Sequence, residues 1–176
     1  QPFYLHAEHA LSTRQPTHDE QASDHYISDP QHPVPFLARP FSFVSDSDRW
    51  KTWLVQDQRF AESRPDVVTY ETPVLTAPVK VSGVPTADIY AATTGTDADW
   101  VVKVNDVYVG VTADRPEMGG YELAVSMDIC RGRYRHDLAH TAAIPSNTGE
   151  EEKVHLPDVN YVFLQVHRIK VQMQSN

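Results

Sequence analysis

The sequence predicts an all-β protein, a sandwich preceded by an irregular arm. Short β-branched segments recur from about residue 67 onward, separated by Pro, Gly, Asn and Asp. No segment longer than about ten residues carries an apolar stripe at helical spacing, so helices should be short. The chain has 176 residues, 40% of them apolar, which is enough for one buried core without disulfides.

The strands are predicted from seven segments: DVVTYET, VKVSG, ADIYAAT, DWVVKVNDVYVG, YELAVSMDIC, KVHLPD and RIKVQMQ. Alternation is clearest in the fifth segment, with Leu123 to Ile129, and in the last, with Ile169 to Met173. Each of these two strands should turn one face to a core and one to water. The run WVVKVNDVYVG is apolar on both faces apart from three residues, so it is predicted to be a central strand. Six to eight such strands make a sandwich.

Residues 1–40 are predicted to be a connecting arm and loop, and residues 41–176 the sandwich. The arm is rich in proline, holds five of the nine histidines and shows neither helical nor strand periodicity.

Composition excludes several classes of protein. The net charge is −9, and no cluster of Lys or Arg offers a phosphate-binding surface, so no nucleic-acid partner is predicted. No apolar run reaches the length of a membrane helix, and residues 1–10 lack signal-peptide character. The single cysteine, Cys130, excludes an internal disulfide.

Catalytic patterns are not found in the sequence. An α/β-type serine hydrolase needs a G-x-S-x-G elbow above a parallel sheet, and no serine here lies in one. Cys130 precedes the basic run RGRYRH, but it ends an alternating strand, which favours packing as a small hydrophobic residue. The sequence therefore predicts no catalytic residue and no cofactor.

Two patterns have the spacing of metal ligands. His136 and His140 would share one face of a helix, but turn residues on both sides favour a polar loop. Two D-x-D pairs lack the other ligands and the turn glycine of a calcium loop: Asp46 with Asp48, and Asp97 with Asp99. No metal site is predicted.

Two further groups are candidates for structural or interface roles. The segment RPFSFVSDSDRWKTW places four aromatic residues in a polar, irregular stretch, where they cover a sandwich edge or face a partner: Phe41, Phe43, Trp50 and Trp53. Asp97 and Asp99 precede one strand, while Arg131 and Arg133 follow another. At least one partly buried Asp–Arg ion pair is expected there.

Several segments, in order, resemble the C-terminal β-sandwich domain of the family that includes X-Pro dipeptidyl-peptidases, cocaine esterase and α-amino-acid ester hydrolases. They are SDPQHPVPF at 28–36, WLVQDQRFAESRPDVVTYETPVLTAPVKVSG at 53–83, TTGTDADWVVKVNDV at 93–107, RGRYR at 131–135 and HRIKVQMQS at 167–175. The stretch PEMGGYELAVSMDICRGRYR at 116–135 is most similar to the α-amino-acid ester hydrolases, a branch also described as glutaryl-7-aminocephalosporanic acid acylase-like. Val166 stands where the family usually has Gly, and the family's final strands are expected to be missing.

The resemblance implies a galactose-binding-like jelly roll without its own active site. Its implied partner is an α/β-hydrolase catalytic domain, in the same or a separate chain, which carries a Ser-His-Asp triad and acts on small esters or amides. By the same resemblance, Phe41, Phe43, Trp50 and Trp53 would help to wall the acyl pocket. A periplasmic or secreted location is implied, no membrane partner is expected, and a homo-oligomer is possible. The alternative is an independent jelly-roll module that binds carbohydrate or peptide.

Overall fold

The structure is a computed structural model that describes residues 1–18, 20, 23–37, 53–111 and 113–175. Its strands are β1 (Tyr4–Leu5), β2 (Leu11–Ser12), β3 (Val67–Glu71), β4 (Val79–Gly83), β5 (Thr86–Ala91), β6 (Asp99–Tyr108), β7 (Glu122–Arg131), β8 (Glu150–His155), β9 (Val159–Phe163) and β10 (His167–Ser175). The described helices are 3₁₀ segments of three or four residues: Ala7–His9, Trp53–Val55, Gln58–Ala61, Pro116–Met118 and Gly132–Tyr134. None of them is long and apolar enough to cross a membrane. The predicted all-β class is confirmed.

The largest sheet has four antiparallel strands in the order β3-β10-β6-β7. β10 and β6 are its inner strands, and they pair continuously from His167 opposite Tyr108 to Ser175 opposite Trp100. β6 is rich in valine, whose β-branched side chain packs well on a pleated surface. The run WVVKVNDVYVG is therefore a central strand, as predicted.

Two antiparallel ribbons, β4 with β9 and β5 with β8, supply the second layer. The core lies between these ribbons and one face of the four-stranded sheet, as expected for a jelly-roll sandwich. Its buried residues form two clusters: Leu11, Val68, Tyr70, Phe163 and Ile169 in one, and Val102, Val154 and Leu156 in the other.

Asp106 places a carboxylate within this core. Asp106 is fully buried in β6; it accepts a hydrogen bond from the Tyr161 hydroxyl at 2.7 Å and lies 2.8 Å from Nδ1 of His167. Burial, together with the hydrogen bond to Asp106, raises the pKa of Tyr161. Each carboxylate oxygen of Asp106 thus has a partner, as a buried charge requires.

A β-bulge in β7 changes which side chains face the core. The register of β7 against β6 shifts next to Val104, and an extra residue in one strand breaks the alternation of side chains. Leu123 lies opposite Asp106 on the core face, whereas Met127 lies opposite Lys103 on the other face. The predicted single apolar face of this strand is therefore wrong.

The prediction that the polar side of β10 faces water is also wrong. Three side chains predicted to be solvated are buried: Lys170, Gln172 and Gln174. Residues 53–62 cover this side of the sheet. Within that segment Gln58 accepts a hydrogen bond from Lys103, and Glu62 accepts one from Lys170. The four-stranded sheet is thus covered on both faces.

Residues 1–18 carry more structure than an arm. Strands β1 and β2 form a short hairpin, Leu11 packs into the core and Ala10 bridges to Glu71. The pattern missed these elements because two-residue strands are too short to show periodicity. The proposed boundary between residues 40 and 41 lies outside the described residues and stays a prediction.

Candidate functional site

Six deeply buried polar side chains of the described residues lie on the second face of the four-stranded sheet, away from the core. We call this set the polar face: Lys103, Asn105, Glu122, Lys170, Gln172 and Gln174. All six residues are at most 2% exposed. Burying polar groups costs free energy unless they find partners, so the chemistry of this face depends on how each group is paired.

Lys170 is surrounded by carboxylates. Its Nζ donates hydrogen bonds to Glu122 and, at 2.9 Å, to Glu62, and it lies 2.8 Å from Glu71 Oε1. Burial alone would lower the pKa of Lys170, but the hydrogen bonds to the three carboxylates outweigh it and raise the pKa above its ordinary value. Burial raises the pKa of Glu122, and the Lys170 ammonium counteracts part of that rise. This half of the face is a charged, well-paired network.

The same three glutamates have the spacing of metal ligands, with one oxygen of each within 4.8 Å of the others. The Lys170 ammonium lies among them at hydrogen-bond distance. A divalent cation placed there would be repelled by this positive charge. The arrangement is therefore an ion-pair network rather than a metal centre.

Lys103 is as buried as Lys170, but its surroundings differ. Its Nζ donates to Gln58 Oε1 at 2.8 Å and lies 5.8 Å from the centre of the Phe60 ring. No carboxylate of the described residues pairs with it, and burial lowers the pKa of Lys103 to about 8. The face thus holds one paired and one unpaired lysine.

Amide groups occupy the space between the lysines. Gln172 Nε2 donates to Gln174 Oε1 at 2.8 Å, and Asn105 Nδ2 is 3.5 Å from Gln172 Oε1. Asn105 Oδ1 and Glu122 Oε2 are buried without a hydrogen-bond partner. Sequence reasoning identified Lys103 and Asn105 as interruptions of an apolar strand, but it did not predict that they are buried together.

Of the four aromatic residues expected to wall a pocket, Trp53 lies in the described part of the chain. The other three lie outside it: Phe41, Phe43 and Trp50. Trp53 begins a 3₁₀ turn and is half-buried, and its ring centre is 5.4 Å from that of Phe36. The pocket-wall role of the four residues stays a prediction.

The structure brings the predicted ion-pair residues together. Arg131 Nε donates to Asp99 Oδ2 at 3.2 Å, and Arg133 donates to Asp97. In the first pair the Arg131 side chain is 61% exposed and the Asp99 side chain 16%, so this pair is partly buried on its aspartate side. The second pair is more open, with Arg133 46% and Asp97 39% exposed. The pairs lie where β6 begins and β7 ends, at an open end of the sheet.

The buried arginine of the RGRYR segment is Arg135. Its Nε lies 2.8 Å from Glu150 Oε2 and 3.8 Å from Glu152 Oε1. Its Nη1 donates to the backbone carbonyls of Gly132 and Ala142, and its Nη2 donates to that of Ala143. Arg135 therefore ties the loop after β7 to strand β8, a role that only its long-range partners reveal.

The other residues weighed for chemistry have structural surroundings. Cys130 is half-buried, its Sγ lies 3.9 Å from Glu152 Oε2, and burial raises the pKa of its thiol, which lowers its reactivity. His140 lies on the surface, where it pairs with Asp137. The described parts of the chain bring no second histidine to it as a metal ligand.

One serine, histidine and glutamate have the connectivity of a hydrolase triad. Ser12 Oγ lies 2.9 Å from His6 Nε2, and His6 Nδ1 lies 2.8 Å from Glu20 Oε2. The carbonyl oxygen of Arg14, however, lies 3.0 Å from the same Nε2. Ser12 Oγ also accepts the backbone N–H of Arg14 at 3.1 Å, so the serine and the imidazole are both tied to the backbone of the hairpin. The three residues form a clamp for the N-terminal hairpin, which the sequence pattern did not indicate.

These features define an accessory domain, a jelly-roll sandwich whose described residues form structural networks. The chain belongs to the X-Pro dipeptidyl-peptidase C-terminal non-catalytic domain family, which matches residues 1–176. The predicted family is confirmed.

Known proteins similar to this chain are hydrolases several times its length. It is 31% identical over 182 residues to cocaine esterase of Rhodococcus sp. (strain MB1 Bresler), covering 99% of this chain and 29% of the relative. The solved structure of an α-amino-acid ester hydrolase is similar to this chain, with a TM-score of 0.94 and 44% sequence identity. The structure of an aminopeptidase from the marine sediment archaeon Thaumarchaeota archaeon is similar with a TM-score of 0.94 and 41% sequence identity. Each alignment covers 99% of this chain and 28% of the solved one. The chain thus spans less than a third of these relatives.

Proposed function

We propose that this chain is the C-terminal, non-catalytic part of a serine hydrolase of the α-amino-acid ester hydrolase type. The observation that carries the proposal is the alignment of almost the whole chain with 28% of such an enzyme, at 44% identity and a TM-score of 0.94. In this proposal an α/β-hydrolase domain, in the same or a separate chain, supplies the triad and forms an acyl-enzyme with an ester or amide substrate.

The role of the domain is to pack on that catalytic part and complete its acyl pocket. The polar face supports this role, because it fixes the segment that follows the aromatic stretch. Gln58 is held by Lys103 and Glu62 by Lys170, both buried in the sheet. A pocket wall built from Phe41, Phe43, Trp50 and Trp53 would therefore be anchored at its C-terminal end.

A domain replacement tests the proposal. The corresponding 28% of the similar α-amino-acid ester hydrolase is replaced by this chain, and hydrolysis of an α-amino-acid methyl ester is measured. The catalytic part alone is one control, and the replacement with its nucleophilic serine changed to alanine is the other. We expect activity in the replacement and not in either control. A folded but inactive replacement would contradict the accessory role.

The pocket wall is tested in the same hybrid. Phe43→Ala should raise KM for esters with bulky acyl groups and leave the melting temperature unchanged. Tyr90→Ala is the matched control, since Tyr90 is a highly exposed aromatic residue on β5 in the opposite layer. Equal KM values for both variants would remove Phe43 from the wall.

The rival function is an independent carbohydrate- or peptide-binding module. Calorimetry on the isolated chain distinguishes the two, because saturable binding of oligosaccharides or peptides by this chain alone would favour the module. A periplasmic or secreted location is proposed from the family resemblance, and fractionation of cells that express the whole protein tests it.

A further inference from the structure

A small cavity lies beside the unpaired lysine of the polar face. Its volume is about 250 Å³, slightly below the range of about 300–1,000 Å³ usual for drug-sized ligands, so it suits a small molecule. Most of its lining side chains are apolar, and the polar contributions come from three residues. The lining consists of Val34, Phe36, Val101, Met127 and Ile129, with Lys103, Gln174 and Asp128.

Lys103 brings an uncompensated positive charge to this cavity. Lys103 is 1% exposed. One N–H of its ammonium donates to the neutral side chain of Gln58, and no carboxylate within the described ranges pairs with it. A buried ammonium without a counter-charge is costly. Lys170 lies on the same face, two residues along β10 from Gln172, the residue opposite Lys103. In contrast to Lys103, its charge is neutralised by three carboxylates.

We propose that this cavity binds a small organic carboxylate whose apolar body lies against Phe36, Met127 and Ile129 and whose anion pairs with Lys103. The carboxylate would supply the counter-charge that the described residues do not provide, through a charge-assisted hydrogen bond in a low-dielectric site. The cavity walls would supply the rest of the affinity by apolar burial.

The surroundings select this class of ligand over others. A neutral ligand would leave the ammonium unpaired, and a cation would be repelled by it. A small inorganic anion would gain nothing from five apolar walls. Among the described lining residues Asp128 is the one carboxylate, and it is exposed, with its Oδ1 accepting the backbone N–H of Ile129 at 2.7 Å. The other charged groups of the polar face, Glu122 and Lys170, pair with each other.

Binding should be coupled to the charge of Lys103. In the free protein the pKa of this lysine is lowered to about 8 by burial. A bound carboxylate favours the charged form and should raise that pKa. The side chains that pack against Lys103, Gln58 and Phe60 on the covering segment and Gln172 on β10, have no titratable group, so the shift reports on the ligand.

The probe is phenylacetate, titrated into the purified chain and followed by NMR of lysine labelled with ¹³C at Cε. We expect saturable binding, with the Lys103 resonance titrating near pH 8 in the free protein and at higher pH when phenylacetate is bound. Phenylacetamide, which has the same body without the charge, should bind at least roughly tenfold more weakly. Equal binding of the two probes, or no binding of phenylacetate at millimolar concentration, would overturn the proposal.

Two variants locate the site. Lys103→Met removes the charge and should weaken phenylacetate binding at least roughly tenfold. Val101→Phe fills the cavity and leaves Lys103 in place, so it should abolish binding even if the first variant folds poorly. Lys153→Met, which removes an exposed lysine on β8, should bind like the parent. Unchanged binding in a folded Val101→Phe variant would place the ligand elsewhere and contradict the site.

Discussion

At the scale of single residues, Lys103 makes the stability of the domain depend on pH. Its folded-state pKa of about 8 lies below the ordinary value of 10.5. The folded protein therefore binds fewer protons than the unfolded chain between these values, and stability should rise with pH there. We expect the unfolding free energy of the parent, relative to Lys103→Met, to increase by about 2 kcal/mol between about pH 7 and about pH 9.5.

Urea denaturation of parent and variant at several pH values measures this difference. The comparison cancels the other titrating groups, among them Lys170, whose raised pKa keeps it charged in this range. Lys153→Met is the control, and its difference from the parent should be flat because the hydrogen bond to Glu151 and the charge of Asp88 raise the pKa of Lys153, which stays charged throughout this range. A flat difference for Lys103→Met as well would show that Lys103 is not desolvated.

Val166 is a second residue whose backbone conformation should affect the stability of the domain. It has a backbone φ of 66°, which costs an L-residue with a β-branched side chain roughly 1–2 kcal/mol. Its N–H donates to the carbonyl of Leu75 at 2.9 Å, which holds the turn in place. Val166→Gly should relieve this strain, although glycine also makes the unfolded chain more flexible, which offsets part of the gain. The net effect should be a stabilisation of the domain by about 0.5–1 kcal/mol.

Thermal unfolding of Val166→Gly and Val162→Gly checks this. Val162 is also exposed but lies inside β9, where glycine should destabilise by roughly 0.5–1 kcal/mol. If both substitutions lowered the melting temperature, the strain at Val166 would be refuted.

At the scale of elements, the RGRYR segment joins β7 to β8 through its last arginine. Removing Arg135 leaves Glu150 and Glu152 without their buried partner, so Arg135→Met should destabilise by roughly 2–4 kcal/mol. Removing Asp99 breaks a single ion pair whose arginine is largely exposed, so Asp99→Ala should cost about 1 kcal/mol or less. Urea midpoints at constant m-value measure both. The reverse order would contradict the placement of these side chains.

At the scale of the whole molecule, the isolated chain should not hydrolyse esters. Ser12 and His6 are both tied to the backbone of Arg14. Ser23 Oγ lies 3.0 Å from His25 Nε2, but both residues are exposed, and no carboxylate of the described residues pairs with that ring. The purified chain should leave p-nitrophenyl esters and α-amino-acid methyl esters at the buffer rate. Ser12→Ala should behave like the parent. Turnover that Ser12→Ala or a serine-directed phosphonate abolishes would disprove this.

The isolated domain should also expose part of its aromatic segment. Trp100 is buried in the sheet, whereas Trp53 is half-buried. We expect a soluble quencher to reduce tryptophan fluorescence in the isolated chain and to do so less when the catalytic part is present. A variant with Phe at positions 50 and 53 retains Trp100 and should resist quenching. Equal quenching with and without the catalytic part would argue against docking through this segment.

The sequence by itself determined the class, the family and most strands, because β-branched runs between turn residues and ordered family segments are local signals. It also placed β6 at the centre of the sheet, since a strand apolar on both faces needs a cover on each. It missed β9, and it missed the hairpin of β1 and β2, which is too short to show a period.

Only the tertiary structure decided which polar residues are buried. Lys170 and Arg131 are both basic residues of β-strands, but one is enclosed by carboxylates from distant segments and the other lies at an open strand end. A bulge in β7 places Leu123 and Met127 on opposite faces of the sheet, although the alternating pattern put them on one face. Burial depends on what covers a residue, and here the cover comes from residues 53–62, far along the chain. A local pattern records alternation but carries no information about that cover.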